Sequence, residues 1–66
     1  MNTFKERLDG EKAQLNERLE KLRAFIASEK FQEIDPVQMT LLNIQVKAME
    51  TYNQCLLERI VRLQVE

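Results

Sequence analysis

Histidine is absent from this chain of 66 residues, and cysteine, glycine and proline occur once each. Each shortage removes a class of chemistry or architecture. Without histidine there is no Ser-His or Cys-His pair to activate a nucleophile. With no imidazole and one thiol, metal binding falls to carboxylates, hard ligands suited to Mg²⁺ or Ca²⁺, and no calcium-loop pattern is present. Cys55 cannot form a disulfide within the chain, and a lone thiol fits a reducing compartment. A single Gly10 and a single Pro36 predict long helices and few turns.

Excess charge is missing too. Ten basic and eleven acidic residues leave a net charge of −1, with no bulk field to attract DNA, RNA or an anionic membrane. No apolar run approaches the ~20 residues that span a bilayer. The start, "MNTFKERLDGEK", lacks the apolar core of a signal peptide. A soluble cytoplasmic protein is expected, with no membrane and no nucleic-acid partner. A chain this short usually needs a disulfide, a metal or oligomerisation to supplement its core. With the first two disfavoured, self-association is the staple that remains.

What is present is helical periodicity. Thr3 and Glu6 form the T-x-x-E of a capping box. Phe4, Leu8, Leu15, Leu19, Leu22 and Ile26 then fall within roughly 60° of arc. Their eleven-residue relations suit a nearly straight helix. Gly10 is exposed in this phase and weakens the helix by about 1 kcal/mol relative to alanine without splitting it. A first helix is predicted over 4–28. The connection 29–35 carries Phe31 and Ile34, which are expected to plug the open end of a hairpin in a short extra turn. Asp35 as cap, Pro36 at the first helical position and Gln38 closing a box start a second helix over 36–65. The whole of 1–66 reads as one all-α domain, an antiparallel two-helix hairpin.

The second helix has apolar residues on two sides. Val37, Leu41, Ile44, Ala48, Tyr52 and Cys55 make one stripe. Met39, Leu42, Val46, Met49, Leu56, Leu57, Ile60 and Leu63 make another, centred about 130° away. The first helix has one narrow stripe and can cover only one of these. The Tyr52 stripe is assigned to the hairpin core. Met39, Leu42, Val46, Met49, Leu56, Ile60 and Leu63 are assigned to contacts between copies in a homo-oligomeric bundle, a dimer or tetramer.

Catalysis has little to stand on. Ser28 is the only serine and falls at the end of the first helix. Cys55 sits on an apolar stripe with no basic neighbour a turn before it, as an inert thiol does. Paired carboxylates such as Glu17 and Glu20 read as solvated salt-bridge partners on so charged a helix. No catalytic residue, metal site or cofactor is expected, and the chain is not expected to be an enzyme.

Polar residues on the edges of the apolar faces are more informative. Arg18 and Glu11 lie on the shoulder of the first stripe, and Arg59 and Arg62 continue the Tyr52 stripe into the last turns. One reading pairs Glu11 with Arg59 or Arg62, which also complement the helix dipole. The other makes Arg18, Tyr52, Arg59 and Arg62 ligand-binding residues that converge at a boundary between copies. Guanidinium groups supply charge and an aromatic ring supplies stacking for a phosphate-bearing, base-containing ligand. Tyr52 reads first as a packing residue, whose hydroxyl needs a partner if buried, and second as a ligand contact.

Across Glu6–Ile60, the order "RLEKLRAFIASEKFQEI", Leu41-Leu42, Gln45, Met49, Tyr52, Leu56 and Glu58-Arg59-Ile60 resembles a crAss-phage-related family of short phage and prophage proteins. The resemblance implies a helical-hairpin accessory protein acting in the bacterial cytoplasm. Small phage proteins of this build look like the sponges that disarm nucleotide-signalling immunity, the Thoeris and CBASS systems. Those proteins are homo-oligomers that sequester cyclic oligonucleotides or cyclic ADP-ribose-type signals in pockets between subunits without cleaving them. The expected function is such anti-defence sequestration. The alternative is a non-enzymatic interaction module that blocks or adapts a host or phage protein through its apolar face.

Overall fold

The computed structural model describes residues 3–65, with side chains for 3–63, so residues 1, 2 and 66 of the single expected domain lie outside the described residues. Two helices joined by a 3-10 turn account for almost all of it: α1 is Thr3–Ile26, the turn is Glu29–Glu33 and α2 is Pro36–Val65. No strand occurs among the described residues. At about 1.5 Å per residue a thirty-residue helix is ~45 Å long, and the molecule measures 48 × 16 × 13 Å. The helices are antiparallel, because contacts between them run in opposite order along the chain. Phe4 meets Arg59, Lys12 meets Asn53 and Arg23 meets Glu50.

Local chemistry accounts for the ends. α1 begins at Thr3 itself, so Thr3 lies inside the first turn rather than ahead of it as a cap. α1 stops two residues before Ser28 because its last turn tightens. The Ser28 amide donates to the Phe25 carbonyl at 3.0 Å, and the Ser28 hydroxyl donates to the same oxygen at 2.6 Å. Those bonds satisfy a carbonyl that the ending helix leaves without a partner. At the start of α2 the Asp35 carbonyl accepts from the Met39 amide at 3.0 Å. Asp35 thus contributes through its backbone, and its carboxylate makes no capping bond among the described residues. Proline at position 36 needs no donor there.

The core is a seam between the helices. Leu8 and Leu15 of α1 pack with Leu56 and Ile60 of α2, with Met49 and Leu63 against them. Leu19 is 2% exposed and Leu56 fully enclosed. Phe31 is buried in the 3-10 turn and meets Phe25 edge to face at 6.0 Å and 87°, a favoured arrangement of two ring quadrupoles. This aromatic pair closes the loop end of the seam.

α1 covers the opposite stripe of α2 from the one the sequence assigns to the core. Of the residues assigned to contacts between copies, Leu56 and Ile60 are buried within the hairpin. Met39, Leu42, Val46, Met49 and Leu63 are half-buried. Val37, Leu41, Ile44, Ala48, Tyr52 and Cys55, assigned to the core, are exposed. The reason lies in the last turns. The Tyr52 stripe runs on into Arg59 and Arg62, so burying it against Leu8 would desolvate two guanidinium groups without partners. The other stripe stays apolar through Ile60 and Leu63, and α1 covers that one.

Candidate functional site

Arg18, Tyr52, Arg59 and Arg62 are all exposed. The Arg59 guanidinium carbon stands 6.0 Å from the centroid of the Phe4 ring, within reach of a cation–π attraction. Phe4 itself is 52% exposed. An arginine and an aromatic ring therefore share an open surface at the free ends of the hairpin. Arg62 lies one turn further on, beside Arg59 in helical phase.

The aromatic partner of Arg59 is Phe4, not Tyr52. Tyr52 is on the same face of α2, two turns from Arg59 and about 10 Å along the axis. The Lys12–Asn53 and Arg23–Glu50 contacts, at 3.3 Å and 2.7 Å, set the register between the helices. That register puts Arg18 level with Tyr52. The Phe4–Arg59 contact also shows which flank of α1 adjoins the Tyr52 edge of α2, and helical phase puts Arg18 and Glu11 on that flank. The four predicted residues thus fall into two neighbouring groups along one side: Arg18 with Tyr52, and Arg59 with Arg62 and Phe4. The role of Phe4 was hidden in the sequence because its spacing marks it as a core residue. Its position at the open end, one turn before Leu8, the first buried residue of the seam, decides otherwise.

Glu11 does not pair with Arg59 or Arg62. The interhelical ion pair is instead Arg23–Glu50 at 2.7 Å, to which Lys47 adds a contact with Glu50 at 3.6 Å. The Arg23 hydrogen bond is the main cause holding the Glu50 carboxyl below its ordinary value, with the Lys47 charge assisting against partial burial. This cluster borders a shallow cleft of about 610 Å³ near the loop end, which Ile26, Thr40, Asn43 and Val46 also line. The cleft lies on the opposite flank, and none of the four predicted residues lines it. Its two cations, Arg23 and Lys47, share the one carboxylate of Glu50. By contrast, Arg18, Arg59 and Arg62 form no salt bridge among the described residues. Cys55 is exposed, and no cluster of potential metal ligands exists among the described residues.

The geometry therefore offers an open, arginine-bearing face with two aromatic rings and no acidic group yet engaged with the arginines. A family model, Sequestin, matches residues 2–62. The chain belongs to the Sequestin family. The match spans both helices and the turn between them, including all four candidate residues, and the family name is consistent with a sequestering role. It carries no link to crAss-phage. This Sequestin-family chain has no significant match among curated proteins or among solved structures. No helix among its described residues is long and apolar enough to cross a membrane.

Proposed function

We propose that this Sequestin-family protein is a phage anti-defence protein of the bacterial cytoplasm. It binds a nucleotide immune signal, of the cyclic ADP-ribose type or a cyclic oligonucleotide, and holds it without cleaving it. The observation that carries this reading is the Sequestin match over 2–62, joined to Arg59 beside the Phe4 ring and to Arg18, Arg59 and Arg62, which form no salt bridge among the described residues. Phosphates of the signal meet the guanidinium groups of Arg18, Arg59 and Arg62, and its base stacks on Tyr52 or Phe4. Binding of this kind needs no histidine, nucleophile or metal. An open face on one hairpin is too shallow to enclose a ligand, so the pocket is completed by a second copy in a homo-oligomer.

A thermal-shift panel of cyclic dinucleotides, cyclic trinucleotides and cyclic ADP-ribose isomers tests the proposal. A ligand at a hundred times its dissociation constant stabilises the folded state by about 2.7 kcal/mol. The melting temperature should rise with one ligand class. Heat denaturation should then release that ligand intact on chromatography. No shift with any member of the panel refutes the reading, and a converted nucleotide would point to an enzyme. The exposed Val37–Tyr52 stripe favours a second reading, an interaction module for a host or phage protein, which predicts no shift and a specific protein retained instead.

A further inference from the structure

α1 ends at Ile26, whereas α2 extends beyond that level to Pro36. The Arg23–Glu50 contact sets the end of α1 level with Val46 and Lys47, so Thr40 and Asn43 lie on a length of α2 that α1 does not reach. This step between the helices is the cleft of about 610 Å³, a volume in the range of small-molecule sites. Two kinds of surface meet in it. Ile26, Ala27, Ile44 and Val46 supply aliphatic walls, and Arg23, Lys47 and Glu50 stand together at one end. The proposed function uses none of these residues.

Charge decides what the cleft can hold. Arg23 Nη2 donates to Glu50 Oε2 at 2.7 Å, and Lys47 Nζ lies 3.6 Å from Glu50 Oε1. The Arg23 hydrogen bond holds the Glu50 carboxyl below its ordinary value, so it is ionised at neutral pH. Two cations against one carboxylate leave a surplus of one positive charge. Arg23 makes no second hydrogen bond among the described residues, and its guanidinium fork has five donors matched to a carboxylate. The other polar residues spend bonds on their own helix. The Thr40 hydroxyl donates to the Pro36 carbonyl at 3.3 Å, and the Asn43 amide donates to the Met39 carbonyl at 3.0 Å. Hydrocarbon is therefore the main surface beyond the charged end. No aromatic ring is among the lining residues, so a nucleobase has nothing to stack on, and one surplus charge does not match several phosphates.

We propose that this cleft binds a small monoanion with an aliphatic body, a medium-chain carboxylate. The carboxylate sits between Arg23 and Lys47, beside Glu50, and the chain lies along Ile26, Ile44 and Val46 toward Thr40. Lys47 and Thr40 are about 10 Å apart along the axis, a length that about eight carbons cover in a zigzag. Burial of methylenes supplies the attraction, and the charged end fixes the direction of the chain.

Octanoate titrated into the isotope-labelled full chain tests this, with amide chemical shifts as the readout. Octanoate carries no base and no phosphate, so its result is independent of the thermal-shift panel, and either reading can fail while the other stands. Saturable shifts should centre on Ile26, Ala27, Ile44 and Val46 and spare Tyr52 and Arg59. Hexanoate should bind more weakly, by about fourfold for each methylene lost. Octanamide, which lacks the charge, should bind about tenfold more weakly than octanoate. Arg23→Gln should weaken octanoate binding about tenfold. Glu50→Gln removes the competing carboxylate and should tighten it by roughly twofold to fivefold. Circular dichroism of both variants should stay helical. Shifts that never saturate, or that centre on Tyr52, overturn the site. Octanamide binding as tightly as octanoate, or Arg23→Gln binding normally, overturns the role of the charged end. Weaker binding by a helical Glu50→Gln variant overturns the place of Glu50 as the ligand's competitor.

Discussion

Replacing Leu56 by alanine is the sharpest way to ask which stripe of α2 forms the core. Leu56 is fully enclosed and packs in one cluster with Leu8, Leu15 and Ile60. Leucine-to-alanine changes at such sites cost about 2–5 kcal/mol, through lost transfer energy and the cavity left behind. A two-helix seam is open at its flanks and can partly collapse into the gap, so we place the loss near 3 kcal/mol. A domain of this length has only about 3–10 kcal/mol of stability in total. At 4–8 °C per kcal/mol for small domains, the melting temperature should fall by roughly 12–24 °C. The measurement is a thermal melt followed by far-UV circular dichroism over a range of protein concentrations. Leu41→Ala is the comparison. Leu41 is 51% exposed, so at high dilution its truncation should cost under about 1 kcal/mol. Any larger loss should grow with concentration, as expected of a contact between copies. If Leu41→Ala were the more damaging change at every concentration, the assignment of inner and outer stripes would be wrong.

Four other outcomes follow from the same structure. Gly10 lies within α1 with nothing within 4 Å of an added Cβ, so Gly10→Ala should stabilise the chain by about 0.5–1 kcal/mol, read from the denaturation midpoint. Phe31→Ala removes the buried plug and its Phe25 contact, and should cost about 3 kcal/mol by the same assay. Arg23 holds the Glu50 carboxyl below its ordinary value of 4.5. The stability it adds is therefore complete above that value and is lost as pH falls through the lowered folded one. Arg23→Gln should flatten this part of the decline in melting temperature between about pH 6 and about pH 3. Arg59→Ala and Arg18→Ala should abolish the ligand-induced shift while leaving the mass in solution unchanged. Normal binding by both variants would place the ligand elsewhere.

Much of the architecture can be read from the residues alone, because the signals are local. Pro36 tolerates only the first position of a helix, so the start of α2 is visible without any tertiary contact. The six apolar residues from Phe4 to Ile26 recur at the helical period, and a short connection leaves an antiparallel hairpin as the simple way to bury them. The apolar Phe31 in a polar connection announces a plug for the same reason. What a linear pattern could not decide is which of two correctly spaced stripes faces α1. Both have the right period, and periodicity is blind to what happens at the end of a stripe. Packing settled it, because the helices must stay together as far as Leu8 and Ile60, where one face still offers carbon and the other offers Arg59 and Arg62. Phe4 shows the same limit in miniature: its spacing is that of a core residue, but it stands beyond the reach of the seam and meets a guanidinium group instead. Period is a property of the chain, whereas burial depends on which charges a partner helix would have to strip of water.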